Sequence, residues 1–307
     1  MRAAEEMRAR VINARYSQNT VRNYRSAWKG FERWCAASGR QSLPATPGDC
    51  IDHICWCLAE GFRIETVDHR LKAANHRHRE NGLPEPANQE VRAFLRKARR
   101  AVCEKPQNMH ALTPEQLRRI SHKLKSLGGT VHVRDRAVLL VCFACGWRRA
   151  ELVSLDLEDV RWVDGGIVLW LGRTKTDQEA RGRYVGVNYG SRALTCPVAA
   201  LEEWLAMRGK EAGPLFFSCD AGGKITGKRL HPDGVRRAVK RGFALLKEDD
   251  TRFGAHSLRA GMITAGIENG ASETAIMQRT GHRSYATFRR YVRPAQAIKI
   301  DPLKGVL

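Results

Sequence analysis

The chain has 307 residues, 53 Lys+Arg against 32 Asp+Glu, and a formal net charge of +21. That length suits two domains, and a hydrophobic content of 43% supports real cores, which excludes a chain that is merely a disordered basic tail. The charge predicts a polyanionic partner, nucleic acid first and a membrane surface as the rival. Residues 1–110 carry 20 Lys+Arg against 12 Asp+Glu and the remainder 33 against 20, so both halves are basic, as a clamp around a duplex would be.

The longest apolar run, Ala137 to Trp147, is too short to cross a bilayer and reads as a buried helix. The N-terminus lacks the apolar core of a signal peptide. Nine cysteines without framework spacing read as free thiols in a reducing compartment. The expectation is a cytoplasmic, nucleoid-associated protein with no membrane partner.

In chain order, the first helix is capped within Ser17–Thr20 and stops at Gly39. Val21, Tyr24, Trp28, Phe31 and Cys35 form its apolar face, and Arg22, Arg25, Lys29 and Arg33 the opposite one. A second helix starts at Thr46-Pro47 and buries Ile51, Ile54, Cys55 and Leu58. A third runs from about Glu65 to His78, where His76-Arg77-His78 reads as a solvated or DNA-facing surface rather than a metal site. A fourth carries Val91, Phe94, Leu95 and Ala98, ringed by Arg92, Arg96, Lys97, Arg99 and Arg100. Solvated faces usually mix signs, and this last cluster does not. Arg22, Arg25, Lys29, Arg33, Arg77, Arg96, Lys97, Arg99 and Arg100 are therefore expected to meet DNA phosphates. Residues 1–105 read as a helical DNA-binding domain, 106–110 as a linker, and 111–307 as a second domain.

The second domain opens on Thr113-Pro114-Glu115, a capped helix start. Val133 to Phe143 is an apolar helix, and Cys142-Phe143-Ala144-Cys145 at its end reads as core packing rather than zinc or redox chemistry; Cys55 and Cys57 take the same reading. Arg148 follows Gly146 as a short helix begins. Val160 to Leu171 reads as a hairpin turning at Asp164-Gly165-Gly166. Gly172-Arg173-Thr174-Lys175-Thr176 is a polar loop, and Arg183 to Val187 a third strand. Helical patterns then cover Cys196 to Met207, His231 to Leu246, His256 to Asn269, Ser272 to Thr280 and Ser284 to Tyr291. The fold class is mainly α with a small antiparallel β-sheet.

Several residues of this half carry chemistry: Arg148 and Glu151 in Gly146-Trp147-Arg148-Arg149-Ala150-Glu151-Leu152, Lys175 in its loop, His256-Ser257-Leu258-Arg259, Gly281-His282, and Tyr291. Each alone is weak. Arg148 could be a structural ion pair, Lys175 a solvated lysine, His256 a helix cap, and Tyr285 a rival phenol. In this order, with Tyr291 nine residues after His282, they resemble the tyrosine recombinases, or phage integrase family. That signature is an Arg in G-x-R-x-x-E-L, a Lys on a hairpin loop, H-x-x-R, G-H or G-W, and a nucleophilic Tyr nine residues on. The resemblance covers nearly the whole chain, and the lysine loop and compact first half are most similar to Cre-like recombinases. It implies a SAM-like helical core-binding domain and an α+β catalytic domain.

Physical chemistry assigns roles beside the resemblance. Arg148 and Arg259 offer permanent, forked charge to the non-bridging oxygens of a phosphodiester and to the charge that grows there. His256 is the base for the Tyr291 phenol, a poor nucleophile while protonated. His282 would hydrogen-bond the phosphate or assist, Lys175 would protonate the leaving 5′-oxygen, and Glu151 would orient its neighbours. Tyr24, Tyr184 and Tyr189 read as structural. The expected activity is site-specific recombination of double-stranded DNA through a 3′-phosphotyrosine and a Holliday junction, with no metal, ATP or other cofactor. The expected assembly is a monomer free and a homotetramer on DNA, with Ile298, Ile300, Leu303, Val306 and Leu307 of the tail (292–307) docking on a neighbouring protomer. The rivals are a type IB topoisomerase and a non-catalytic DNA-binding regulator.

Overall fold

The structure, a computed structural model, describes residues 18–102, 109–172 and 182–291. The chain divides into two compact units, residues 1–106 and 107–307. Lys175, the tail 292–307, Ser17 and most of the expected linker lie outside the described residues.

The described residues of the first unit form four helices: α1 (Gln18–Ala37), α2 (Pro47–Ala59), α3 (Ile64–Glu80) and α4 (Gln89–Val102). Thr46 and Asp49 close a reciprocal capping box at the start of α2, each side chain satisfying the other's backbone N–H. The core joins Trp28, Phe31, Trp34 and Cys35 of α1 to Ile54 and Cys57 of α2, Val67 and Leu71 of α3, and Val91 and Leu95 of α4.

Three expectations for this unit need correction. Val21 is 37% exposed, because it stands a turn before the packed part of α1. Cys55 is exposed, while Cys50, His53, Ile54 and Cys57 are buried. The α2 face is rotated so that His53 packs on Phe31 and Trp34, at ring distances of 4.9 and 4.7 Å. His78 is wholly buried rather than solvated. Its Nδ1–H donates to Ala74 O and its Nε2 accepts from Ala45 N–H, both at 2.8 Å, so the ring is a bracket between α3 and the approach to α2.

The second unit contains α5 (Pro114–Leu127), α6 (Thr130–Cys145), α7 (Arg149–Ser154), β1 (Val160–Val163), β2 (Gly166–Leu171), β3 (Arg183–Asn188) and α8 (Pro197–Arg208). There follow β4 (Phe217–Cys219), β5 (Ile225–Arg229), α9 (Pro232–Leu246), α10 (Ala255–Glu268), α11 (Glu273–Thr280) and α12 (Tyr285–Phe288). The antiparallel sheet β1-β2-β3 alternates as its sequence implies, with Ile167, Leu169, Leu171, Val185 and Val187 turned inward. The β4–β5 hairpin escaped the sequence reading, since along β5 no alternation of apolar and polar residues announces a strand. The last predicted helix is shorter than expected: α12 spans one turn, then tightens into a 3₁₀ turn over Arg289–Tyr291. That tightening follows the burial of Phe288 against Ile263 and Ile276. His110, at the end of the expected linker, is tied to the second unit by its N–H on Arg252 O at 2.9 Å.

Helix α6 lies at the centre and is buried nearly all round, including Arg134, Asp135 and Arg136. Its charges are paired. Asp135 accepts from Arg134 at 2.8 Å and from Arg241 Nε at 2.7 Å, and Arg136 donates to Glu203 at 2.6 Å. Cys142 and Cys145 are buried and their thiols are pushed up by burial, which bears out core packing. Removing one partner of a buried pair strands the other charge. Asp135→Ala is therefore expected to lower unfolding free energy by about 3–5 kcal/mol in denaturant titration. Arg40→Ala, at the surface pair with Asp49 and Asp52, is expected to leave the denaturation midpoint nearly unchanged.

Candidate active site

Helix α6 ends in the left-handed residue Gly146 (φ 62°), which turns the chain so that Arg148 becomes the N-cap of α7. Glu151, at the third helical position, grips Arg148 twice. Its Oε2 accepts the Arg148 backbone N–H at 2.9 Å and its Oε1 accepts from Arg148 Nη1 at 2.6 Å. Glu151 is 5% exposed while Arg148 is half-buried, so the carboxylate holds the guanidinium at the mouth of the site from beneath.

His256 and Arg259 stand one turn apart on α10 and share a face. Arg259 is completely buried. Its Nη1 donates to Gly146 O and Thr280 O, each at 2.8 Å. Both acceptors are C-terminal carbonyls, of α6 and α11, which lack helical partners and carry the negative end of the helix dipole. Its Nη2 reaches His282 Nε2 at 2.9 Å. Gly281, left-handed at φ 69°, throws His282 back toward this arginine.

The His282 tautomer is set by its neighbours. Thr280 Oγ1–H donates to Ile276 O at 2.7 Å and stands 2.7 Å from His282 Nδ1. With the proton on Nδ1, the ring donates to Thr280 and its Nε2 lone pair accepts from Arg259, whose Nη2 lies nearer Nε2 (2.9 Å) than Nδ1 (3.2 Å). Burial, followed by the charges of Arg259 and Arg148, pushes the His282 pKa down to about 3. The side chain that His282 Nε2 meets here is Arg259.

Tyr291 ends the 3₁₀ turn, with its ring 5.3 Å from that of His282 in an edge-on arrangement. Its hydroxyl is 2.8 Å from His256 Nε2. One edge of the His256 ring meets solvent, yet crowding by protein, then Arg259 and Arg148, holds its pKa below the ordinary imidazole value. A neutral Nε2 is an acceptor for the phenolic proton. The structure thus brings together Arg148, Glu151, His256, Arg259, His282 and Tyr291, and leaves Tyr285 51% exposed.

Arg183 was missed. It opens β3, and its Nη2 is 3.8 Å from Glu151 Oε2. Its guanidinium occupies the space that a Cβ on Gly281 would need. The signal available in the sequence was a cation at the strand start just after the lysine loop. Leu171 and Arg183 pair across β2 and β3.

In the first unit, Arg22, Arg25, Lys29, Arg33, Arg77, Arg96, Lys97, Arg99 and Arg100 are all exposed. Arg25, Lys29 and Arg77 line a groove of about 320 Å3 between α1 and α3, with Tyr24 and His76. Arg96, Lys97, Arg99 and Arg100 stand apart on α4, and Arg99 approaches Asp68 at 4.0 Å. Among the described residues no group of three His, Cys, Asp or Glu side chains could hold a metal. No described helix is long and apolar enough to cross a membrane.

Fold and site together define a tyrosine recombinase, a class of site-specific recombination enzyme. The chain belongs to the Phage integrase family, whose model matches residues 110–297. It is 27% identical over 296 residues to an integrase/recombinase xerD homolog of Selenomonas ruminantium, covering 94% of this chain and 85% of that one. To the tyrosine recombinase XerC 1 of Ralstonia nicotianae it is 32% identical over 167 residues, covering 52% of this chain and about half (49%) of that relative's length. Among solved structures, the Tn1549 transposon integrase with transposon right end DNA matches at a TM-score of 0.64 and 14% identity, over 97% of both chains. A lambda integrase dimer bound to a COC′ core site matches at 0.63 and 17%, over 95% of both. At these identities the two likenesses establish the shared fold.

Both imidazoles are held neutral by the fold and charge more readily in an unfolded chain, whose imidazoles titrate near about 6.5. They therefore withdraw stability as pH falls below that value. In an NMR titration His256 is expected to titrate below about 6.5 and His282 to remain neutral with its proton on Nδ1. A His282 midpoint near the unfolded value, or a proton on Nε2, contradicts the Arg259–His282 hydrogen bond.

Proposed function

We propose that Tyr291 is the nucleophile of site-specific DNA strand exchange. The observation that carries this reading is the 2.8 Å contact between its hydroxyl and His256 Nε2, with Arg259 and Arg148 around it. In the reaction, the Tyr291 oxygen bonds to phosphorus as its proton passes to His256, and the bond from phosphorus to the 5′-oxygen breaks. Lys175 gives a proton to the leaving 5′-oxygen. The DNA 3′-end is left on tyrosine as a phosphodiester, so bond energy is conserved and the reverse attack by a new 5′-hydroxyl needs neither metal nor ATP. Arg148 and Arg259 stabilise the charge that accumulates on the non-bridging oxygens. His282 acts by holding Arg259, and Glu151 by holding Arg148.

The two basic units, one carrying residues 1–105 and the other 111–307, clamp the duplex, with the exposed cations of α1, α3 and α4 on phosphates. Four protomers on two DNA sites exchange strands through a Holliday junction. The lambda integrase tetramer solved on a Holliday junction shares the fold, at a TM-score of 0.61 and 16% identity. An apolar groove of about 760 Å3, lined by Phe143, Met262, Ala265, Ala275 and Ile276, supports a docking role for the apolar tail of a neighbouring protomer. A cytoplasmic, nucleoid-associated location fits this activity.

Tyr291→Phe is expected to abolish covalent protein–DNA adducts, a loss of at least about 10³-fold, with duplex binding unchanged in a gel-shift assay. Adducts that persist in this variant would remove the assignment, and loss of binding in parallel would point to a structural role for the phenol.

A further inference from the structure

The Arg148–Glu151 pair poses an electrostatic problem. Glu151 is 5% exposed, so water screens its charge poorly. It is bonded twice to Arg148, which the proposed function needs for a phosphate. A carboxylate that pairs with a single guanidinium cancels the charge that guanidinium would offer a substrate. Attack on a phosphodiester raises the charge at phosphorus from one negative to two. Before the reaction starts, the fixed charges of Arg148 and Arg259 less Glu151 leave one net positive charge among these described residues, with both imidazoles held toward their neutral forms. Lys175 and the proton that His256 takes in the proposed reaction come in addition.

Arg183 resolves the imbalance. Its Nη2 faces Glu151 Oε2 at 3.8 Å, on the oxygen that accepts the Arg148 backbone N–H rather than the one that accepts Nη1. Its charge is also among those that depress the His282 pKa, so it is felt on both sides of the site. Its guanidinium lies where a Cβ of residue 281 would stand, packed against the left-handed glycine (φ 69°) at the turn that aims His282. Arg183 therefore touches the support of Arg148 and the support of Arg259 together.

We propose that Arg183 is a positioning residue of the strand-transfer site. It offsets Glu151, keeps the charge of Arg148 available to the substrate, and buttresses the Gly281–His282 turn. With Arg183 included, Glu151 faces two guanidiniums rather than one, so its charge no longer falls on Arg148 alone. The inference rests on the proposed function, because it assumes a phosphodiester between Arg148 and Arg259.

The test uses the full chain and a nicked duplex whose sequence is recovered by mapping DNA trapped covalently in the native host. Two versions are compared in single-turnover cleavage at saturating protein: the native scissile phosphodiester, and a methylphosphonate in which one charged oxygen is replaced by methyl. The methylphosphonate transition state carries one negative charge fewer. Arg183→Ala is expected to slow cleavage of the phosphodiester about 10- to 100-fold, but of the methylphosphonate under about threefold. Arg183→Lys should restore most of the rate, and Arg183→Gln, which keeps much of the packing, should behave as Arg183→Ala. Equal slowing on both substrates, or no slowing on either, overturns the proposal. Arg148→Ala serves as the control for the underlying reading. If it shows no relief on the methylphosphonate, the phosphate assignment of the site fails, whatever Arg183 does.

Discussion

The active site depends on one buried guanidinium. Arg259 has no exposed surface, and a charge so placed is costly unless fully engaged. Its engagement is with two helix ends, Gly146 O closing α6 and Thr280 O closing α11, where orphan carbonyls present negative partial charge. One side chain on α10 therefore fixes the termini of two other helices. Each terminus leads directly into site residues: Arg148 and Glu151 after α6, and Gly281 and His282 after α11. Tyr291 is then laid against His256 from the same α10 and against His282.

The two histidines divide the work by environment. Both are depressed by burial and by the same arginines, yet their nitrogens meet different partners. His256 turns Nε2 to the phenol. His282 turns Nδ1 to Thr280 and Nε2 to Arg259, and the proposed role is to aim that guanidinium. A site of fixed cations and neutral imidazoles suits an anionic substrate and a phenol that must lose its proton.

Much of this was legible in the sequence because the key residues sit at short, rigid spacings. Arg148 and Glu151 share a helical start, His256 and Arg259 a helical turn, and Gly281-His282 a left-handed exit from a helix. The hidden features depend on contacts across long stretches of chain. Arg183 meets Glu151 and Gly281 through strand register and packing, which no local pattern announces. His78 looked like a surface residue of a basic run, and its burial comes with a hydrogen bond to Ala45, a partner 33 residues away. Along α2 the buried face lies one residue from the expected one, with His53 packed among aromatic rings. The cations of α1, α3 and α4 were legible as exposed.

The site built on Arg259 is proposed to deliver the Tyr291 oxygen to phosphorus. That delivery is read out by mass spectrometric mapping of the peptide that keeps a nucleotide after protease and nuclease digestion of adducts trapped on a nicked duplex. The geometry predicts a phosphodiester on Tyr291. A nucleotide on Tyr285, six residues earlier in the chain and exposed, or on any other side chain, would contradict it.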